Sequence, residues 1–232
     1  MGAEVLHSAV LDGIGRDITS GAIAPGEVLT LDRIQRRFAV SRTVAREAMR
    51  MLEAMQLVTS RRRVGLLVRP TADWDVFDPR VIRWRLEGPG RRDQIRSLTE
   101  LRAAVEPVAA AGAARHATAD ERTRALDLAA RMRALAEAGS QDELVAVDVE
   151  LHTLLLRASR NDMFAALTQV VAEVLTGRRH HGLLPPTVHP EVLDLHQALA
   201  RAVHDGDARA AESAMTAIMA EVRGALDEIP GA

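Results

Sequence analysis

The chain has 232 residues, 47% hydrophobic and 27% charged, with no cysteine. That length suits one large domain or two small ones with a real core. The missing thiols exclude a disulfide scaffold, a thiolate zinc site and a cysteine nucleophile. The formal net charge of -2 hides a split: residues 1–70 carry 11 Arg against 7 acids, a net of +4, and residues 71–232 carry 19 Arg against 25 acids, a net of -6. Every basic residue is arginine, and within 33–63 nine of them meet only Glu47 and Glu53. A basic N-terminal third on an acidic remainder points to a polyanion-binding module tethered to something else. No apolar run approaches the ~18 residues of a membrane span. The start, MGAEVLHSAV, lacks the basic-then-apolar pattern of a signal peptide, so a cytoplasmic protein is expected.

Apolar residues Val5, Leu6, Val10, Ile14 and Ile18 make a helical stripe over 3–20, stopped by Gly21 and Pro25-Gly26. Leu31, Ile34 and Phe38 mark a short second helix over 31–38. Ser41 is an N-cap for a third helix, whose buried stripe is Ala45, Ala48, Met49 and Leu52. Leu57-Val58-Thr59 and Leu66-Leu67-Val68 read as two strands, joined by a basic turn over 61–65. Helix, helix, tight turn, helix and basic hairpin is the outline of a winged helix-turn-helix. Arg42, Thr43 and Arg46 open the third helix, where a recognition helix presents side chains to base edges. Arginine can bond guanine O6 and N7 together. Ser41 and Thr43 can reach phosphates beside the helix N-terminus. Arg62 and Arg63 form the wing.

From 78 onward helices dominate. Asp93 can cap a helix to about His116, kinked at Pro107. Thr118-x-x-Glu121 and Ser140-x-x-Glu143 have capping-box spacing and start helices near 118–138 and 141–159. Asn161 caps another, to about Gly182. Pro185-Pro186 and Pro190 mark a loop, and helices near 190–205 and 207–228 follow. Antiparallel helices with short loops make a bundle. Asp148 and His152 share a helix face, and His196 sits on a later helix; a carboxylate with imidazoles suits a divalent transition metal. By spacing alone, an i,i+4 Asp–His pair is more often a surface contact. His180, His181, His189 and His204 read as unspecific.

The segments Ile18-Thr-Ser-Gly-Ala-Ile-Ala-Pro-Gly26, Phe38-Ala-Val-Ser-Arg-Thr-Val-Ala-Arg-Glu-Ala-Met-Arg-Met-Leu52 and Gly65-Leu-Leu-Val68 resemble the GntR family of bacterial repressors. Ala39 replaces the family's turn glycine and Val44 its proline. Asp32 stands where many members carry a DNA-contacting Arg, with Arg33 one place on. The resemblance implies DNA contacts at Ser41, Arg42, Thr43 and Arg46, with Gly65 near the wing tip. The remainder resembles the FCD effector domain of the FadR subfamily, through Leu101-Arg-Ala-Ala-Val-Glu-Pro107, Asp148-Val-Glu-Leu-His152, Ala158-Ser-Arg-Asn161, His196 and Gly206-Asp207. It implies one divalent metal (Zn, Ni or Mn) on Asp148, His152 and His196. The fourth family position is Ile218, which cannot ligate. Arg102 matches the family Arg that pairs with an acid effector. Trp74, Asp78-Pro79, Trp84 and the missing last His look most like the galactonate-type sugar-acid repressors.

The expected architecture is mainly α. Residues 1–70 form the winged helix-turn-helix, 71–79 a linker, and 80–232 an all-α bundle for effector binding and dimerisation. The leading expectation is a ligand-responsive repressor, not an enzyme. It binds a pseudo-palindromic operator as a homodimer and is released by a small organic acid held by Arg102, Asp148, His152 and His196. Arg102 is ranked above the metal as the acid's partner. Two alternatives are a hydrolase using Asp148, His152 and His196 to activate water on a metal, and an architectural DNA-binding protein whose bundle only dimerises. No phosphate loop or nucleophile elbow supports the enzyme.

Overall fold

The computed structural model describes residues 3–180 and 189–227. It divides into two compact units, Met1–Gln94 and Ile95–Ala232. No helix among the described residues is long and apolar enough to cross a membrane.

The first unit opens with α1 (Ala3–Thr19), whose Val10, Leu11, Ile14 and Ile18 are buried as the stripe requires. Then come β1 (Val28–Leu29), α2 (Leu31–Phe38), α3 (Arg42–Ala54), β2 (Val58–Arg61) and β3 (Gly65–Val68). Thr30 caps α2 by accepting from the Arg33 amide at 3.2 Å. Ala39 then takes a left-handed conformation, φ 51°, to turn the chain into α3. Ser41 caps α3 by accepting from the Val44 amide at 3.3 Å. The strands form one antiparallel sheet in the order β1-β3-β2, with Leu29 opposite Leu66 and Arg61 opposite Gly65. The strand β1 has two residues, too few to show an alternation in the sequence. Gly65 has φ +127°, and a Cβ there would lie 2.7 Å from the Leu29 carbonyl oxygen. Only glycine lets β3 approach β1 at that point.

The boundary between units differs from the expected one. A 3-10 turn (Thr71–Asp73) and α4 (Pro79–Glu87) belong to the first unit, so 71–79 is not a free linker and the bundle does not begin at 80. Two indoles explain this. Trp74 is 8% exposed and donates Nε1–H to the Arg69 carbonyl at 2.9 Å. Trp84, on α4, is 1% exposed and donates Nε1–H to Asp12 Oδ1 at 3.1 Å. Large apolar rings with one satisfied polar tip anchor their segments to the core that covers them. Asp78 caps α4 and Pro79 occupies its first turn.

The division between units falls within α5 (Arg91–His116), which continues past Pro107 as a single helix. Asp93 lies in its first turn and is not its cap. The helices α6 (Ala119–Glu137), α7 (Gln141–Ala158), α8 (Asp162–Ala166), α9 (Thr168–His180), α10 (Pro190–Asp205) and α11 (Ala208–Asp227) complete the bundle. Thr118 and Glu121 form a complete capping box on α6. Ser140 precedes α7 without a side-chain cap bond, contrary to its spacing. The single helix expected after Asn161 is two, separated at Leu167. Gly182 and Pro185-Pro186 lie outside the described residues. The α10 helix packs between α6 and α11, and α7 packs on α6 and α9. Arg122 ties two helix ends together. Its guanidinium donates to the carbonyls of Ala114 and Ala117 at the end of α5 and of Val203 and His204 at the end of α10, at 2.7–3.1 Å. Such bonds satisfy the orphan acceptors of a helix C-terminus.

Candidate functional site

Three helices bring charged side chains into an otherwise apolar interior. The α5 helix supplies Arg102 and Glu106, α7 supplies Asp148 and His152, and α10 supplies His196. Arg102, Glu106, His152 and His196 are 1–5% exposed. Arg102 Nε donates to Glu106 Oε1 at 2.5 Å, and Nη2 approaches Oε2 at 3.5 Å. Glu106 Oε2 also meets His152 Nδ1 in a short contact. His196 Nδ1 donates to the Val192 carbonyl at 2.7 Å. Each ring therefore has its Nδ1 engaged and turns Nε2 toward Asp148. The Nε2 atoms of His152 and His196 lie 3.3 and 3.4 Å from Asp148 Oδ1.

That Oδ1 is buried and makes no hydrogen bond among the described residues. The two Nε2 atoms and this oxygen face one another without a hydrogen bond of good geometry between them. Ligands of a tetrahedral metal with bonds of about 2.1 Å stand about 3.4 Å apart. The donor set, the 3.3 and 3.4 Å spacings from Oδ1 and the orphaned oxygen fit a divalent cation, the three ligand atoms lying within 4.8 Å of one another. The two Nδ1 partners, a carboxylate and a carbonyl, are those that orient metal-bound histidines.

Electrostatics give the same sign. Burial pushes the Glu106 carboxyl up, but Arg102 and His152 hold it at about 2. Burial pulls His152 down, but Glu106 and Asp148 raise it to about 9. Burial likewise opposes the charged form of Asp148, yet the two imidazoles hold it well below the usual carboxylate range. The cluster favours a positive charge at its centre.

Arg102, Asp148, His152 and His196 line a cavity of about 140 Å³. Leu144, Leu175, Val192 and Leu193 form much of its wall, with Gln141, His189 and Glu221 as further polar groups. Ile218, on α11, faces the same cavity as the three ligand candidates and offers no donor atom. The structure thus assembles Arg102, Asp148, His152 and His196 as expected. It adds Glu106, which sequence reasoning missed, and it puts His189 on the wall, where no role had been assigned. His204 pairs with Asp205 on the surface. His181 lies outside the described residues.

Arg102 engages Glu106 through Nε at 2.5 Å and, at 3.5 Å, Nη2. Only Nη1 is buried without a hydrogen-bond partner among the described residues.

On the first unit, Ser41, Arg42, Thr43 and Arg46 are exposed along the start of α3, as are Arg62 and Arg63 at the tip between β2 and β3. Arg42, Arg46, Arg62 and Arg63 have no ion-pair partner among the described residues. Neighbouring arginines do: Arg37 pairs with Asp17, and Arg50 with Glu47. Arg33 is exposed and stands 4.0 Å from Glu27. The guanidiniums of Arg42, Arg46, Arg62 and Arg63 are among those the sequence assigns to nucleic acid, and Arg33 is the assigned arginine that has an acidic neighbour.

Comparison with known proteins agrees with both halves. The family described as bacterial regulatory proteins, gntR family, matches residues 6–68, and the FCD domain matches 97–221. The chain belongs to the gntR family of bacterial regulatory proteins and carries an FCD domain. These are domains of transcription regulators, not of an enzyme. The chain is 30% identical over 222 residues to the galactonate operon transcriptional repressor of Escherichia coli (strain K12), covering 93% of this chain and 94% of that protein. It is 29% identical over 219 residues to the HTH-type transcriptional regulator YieP of the same organism, covering 94% and 90%. The solved structure of Lar, which controls expression of the Listeria monocytogenes agr system, shares the fold, with a TM-score of 0.65 at 14% identity and 97% of each chain covered.

Proposed function

We propose that the chain binds a pseudo-palindromic operator as a homodimer in the cytoplasm and is released by a small organic acid. The observation that carries this is the cluster of buried Arg102, Glu106, His152 and His196 with half-buried Asp148, at a cavity in the domain joined to the winged helix-turn-helix. A cluster held this far from water needs a ligand to complete it.

Asp148, His152 and His196 would hold one divalent metal, Zn, Ni or Mn, as a set of two nitrogens and one oxygen. When bound, such a metal supplies a fixed positive charge for a carboxylate or hydroxyl. Without it, Arg102 and Glu106 offset one another, as do protonated His152 and Asp148, which leaves the cluster with no net positive charge for an acid. The metal therefore ranks above Arg102 as the acid's partner. Gln141, His189 and Glu221 offer hydrogen bonds for hydroxyl groups, which supports a hydroxy acid such as the sugar acid in the name of the galactonate relative.

On DNA, Arg42 and Arg46 would read base edges, and Ser41 and Thr43 would meet phosphates beside the α3 N-terminus. Ser41 keeps its hydroxyl hydrogen for a phosphate while its oxygen caps the helix. Arg33, Arg62, Arg63 and the backbone at Gly65 would add contacts to the flanking strand. A single module of this size covers too little DNA for tight specific binding, which favours a two-fold dimer. Acid-induced release needs the acid to prefer the DNA-free state; a 10- to 100-fold effect corresponds to about 1.4–2.7 kcal/mol. Gel shifts on the DNA upstream of its own gene, with Zn and a panel of sugar acids, test the reading. Specific shifts that an acid reverses support it; binding indifferent to sequence and to every acid refutes it.

A further inference from the structure

Glu47 and Glu53 are the two acids among the nine arginines of residues 33–63. Glu47 meets Arg50 at 3.2 Å. Glu53, in the last turn of α3, has no arginine partner among the described residues. Its carboxylate turns to Ser60 on β2 instead. Oε1 accepts from the Ser60 backbone amide at 2.8 Å, and Oε2 accepts from the Ser60 hydroxyl at 3.1 Å. The sheet register explains why that amide is available. The strand β2 lies at the sheet edge, beside β3 alone. The Arg69 amide donates to the Leu57 carbonyl at 2.9 Å, and bonded pairs alternate along an antiparallel ladder. Ser60, opposite Leu66, therefore falls on a non-bonded pair, and its N–H points outward. An edge amide of this kind is otherwise left to water. Arg61 follows at once, opposite Gly65, and the Val64 amide closes the turn on the Arg61 carbonyl at 3.1 Å. The three wing arginines thus stand directly beyond a tie to the helix that carries Arg42 and Arg46.

We propose that Glu53 is a positioning residue for DNA binding. It clamps the edge strand of the wing to α3, so that Arg61, Arg62 and Arg63 meet the phosphates in fixed register with Arg42 and Arg46. Two bonds to an ionised carboxylate are of the stronger kind. A wing held in place before binding loses less freedom on the duplex than one that must be ordered there. The charge of Glu53 opposes a polyanion, so its value to binding lies in the two bonds and not in the charge. This inference rests on the DNA reading above.

A double-mutant cycle on the full-length protein tests this, by fluorescence anisotropy on a duplex from the DNA upstream of its own gene. In wild type, Arg62→Ala/Arg63→Ala should weaken binding about tenfold or more and lower the salt slope by about two. Glu53→Ala should by itself weaken binding by about three- to tenfold. In the Glu53→Ala background the same two arginine substitutions should cost about threefold or less, because an unclamped wing already contributes little. A role in stability alone would lower the melting temperature and leave the arginine cost unchanged. Glu53→Gln should bind at least as tightly as wild type, since its amide can accept from the Ser60 N–H and donate to the Ser60 hydroxyl without the opposing charge. Ser60→Ala keeps the amide bond and loses the hydroxyl bond. It covers the case in which Glu53→Ala does not fold, and should give a smaller coupling of the same sign. An equal arginine cost with and without the clamp overturns the inference. So does Glu53→Gln binding as weakly as Glu53→Ala. Wild type that loses nothing with Arg62→Ala/Arg63→Ala contradicts the DNA reading of the wing itself, which separates the two failures.

Discussion

Arg102 and Glu106 stand one helical turn apart on α5 and form an ion pair 1 and 2% exposed. Most Arg–Glu pairs at this spacing lie on helix surfaces and contribute a few tenths of a kcal/mol. This one is buried beside a cavity. Removing one member of a buried pair leaves the other uncompensated, so Arg102→Ala should destabilise the protein by about 3–5 kcal/mol. The double variant Arg102→Met/Glu106→Gln, which leaves no buried charge on α5, should lose less. Urea unfolding of both variants checks the order; a milder single variant would mean that water reaches the pair.

Metal removal should be visible in stability as well as in content. A ligand present at 100 times its dissociation constant stabilises the native state by about 2.7 kcal/mol. Zn should therefore raise the melting temperature of chelator-treated protein by several degrees. The shift should vanish in His152→Ala and His196→Ala and survive in His204→Ala, whose ring pairs with Asp205 on the surface. A shift that persists in both ligand variants would place the metal elsewhere.

Recognition and wing arginines should fail differently. Arg42→Ala and Arg46→Ala should each cost about 1–3 kcal/mol at the operator and relax one base preference. Arg62→Ala or Arg63→Ala should weaken binding to all sequences alike and lower the salt slope by about one. Fluorescence anisotropy on operator and scrambled duplexes over a salt series separates the two patterns. Intact operator preference in the Arg42→Ala/Arg46→Ala double variant would remove α3 from the interface.

Much of this was legible in the sequence because local rules and tertiary packing agree. Thr118-x-x-Glu121 predicts its capping box, and the bounds of α2 follow from Leu31, Ile34 and Phe38. Ser140 shows the limit: the same spacing gives no side-chain bond, since the backbone before α7 takes another conformation. The boundary at 94 was hidden because a tryptophan does not announce which core will cover it. Asp148 and His152 can be paired by helical spacing, but His196 arrives from another helix, where spacing alone cannot place it beside them. Glu106 was in plain view four residues after Arg102. Its spacing is that of an ordinary surface pair, and only packing shows it buried against His152.

Two backbone positions should respond in opposite senses. Ala39 holds φ 51° at the turn between α2 and α3, a conformation that costs a non-glycine residue about 1 kcal/mol. Ala39→Gly should raise stability by about 0.5 kcal/mol, part of the relief being offset by the greater freedom of the unfolded chain. Gly65→Ala combines a positive φ with a Cβ 2.7 Å from the Leu29 oxygen. It should cost about 2 kcal/mol or more and loosen the wing. Thermal melts of the two variants give the signs directly; a stabilising Gly65→Ala would show that β1 can move away.

The most direct test of the central claim is operator binding by the full-length protein, measured by anisotropy with Zn-loaded and chelator-treated samples across a panel of sugar and hydroxy acids. The account predicts tight, sequence-specific binding of a dimer. It further predicts that at least one acid weakens that binding tenfold or more in the Zn-loaded sample and has no effect after chelation. Release by the acid that is equally strong in both samples, or no preference for operator over scrambled DNA, would contradict it.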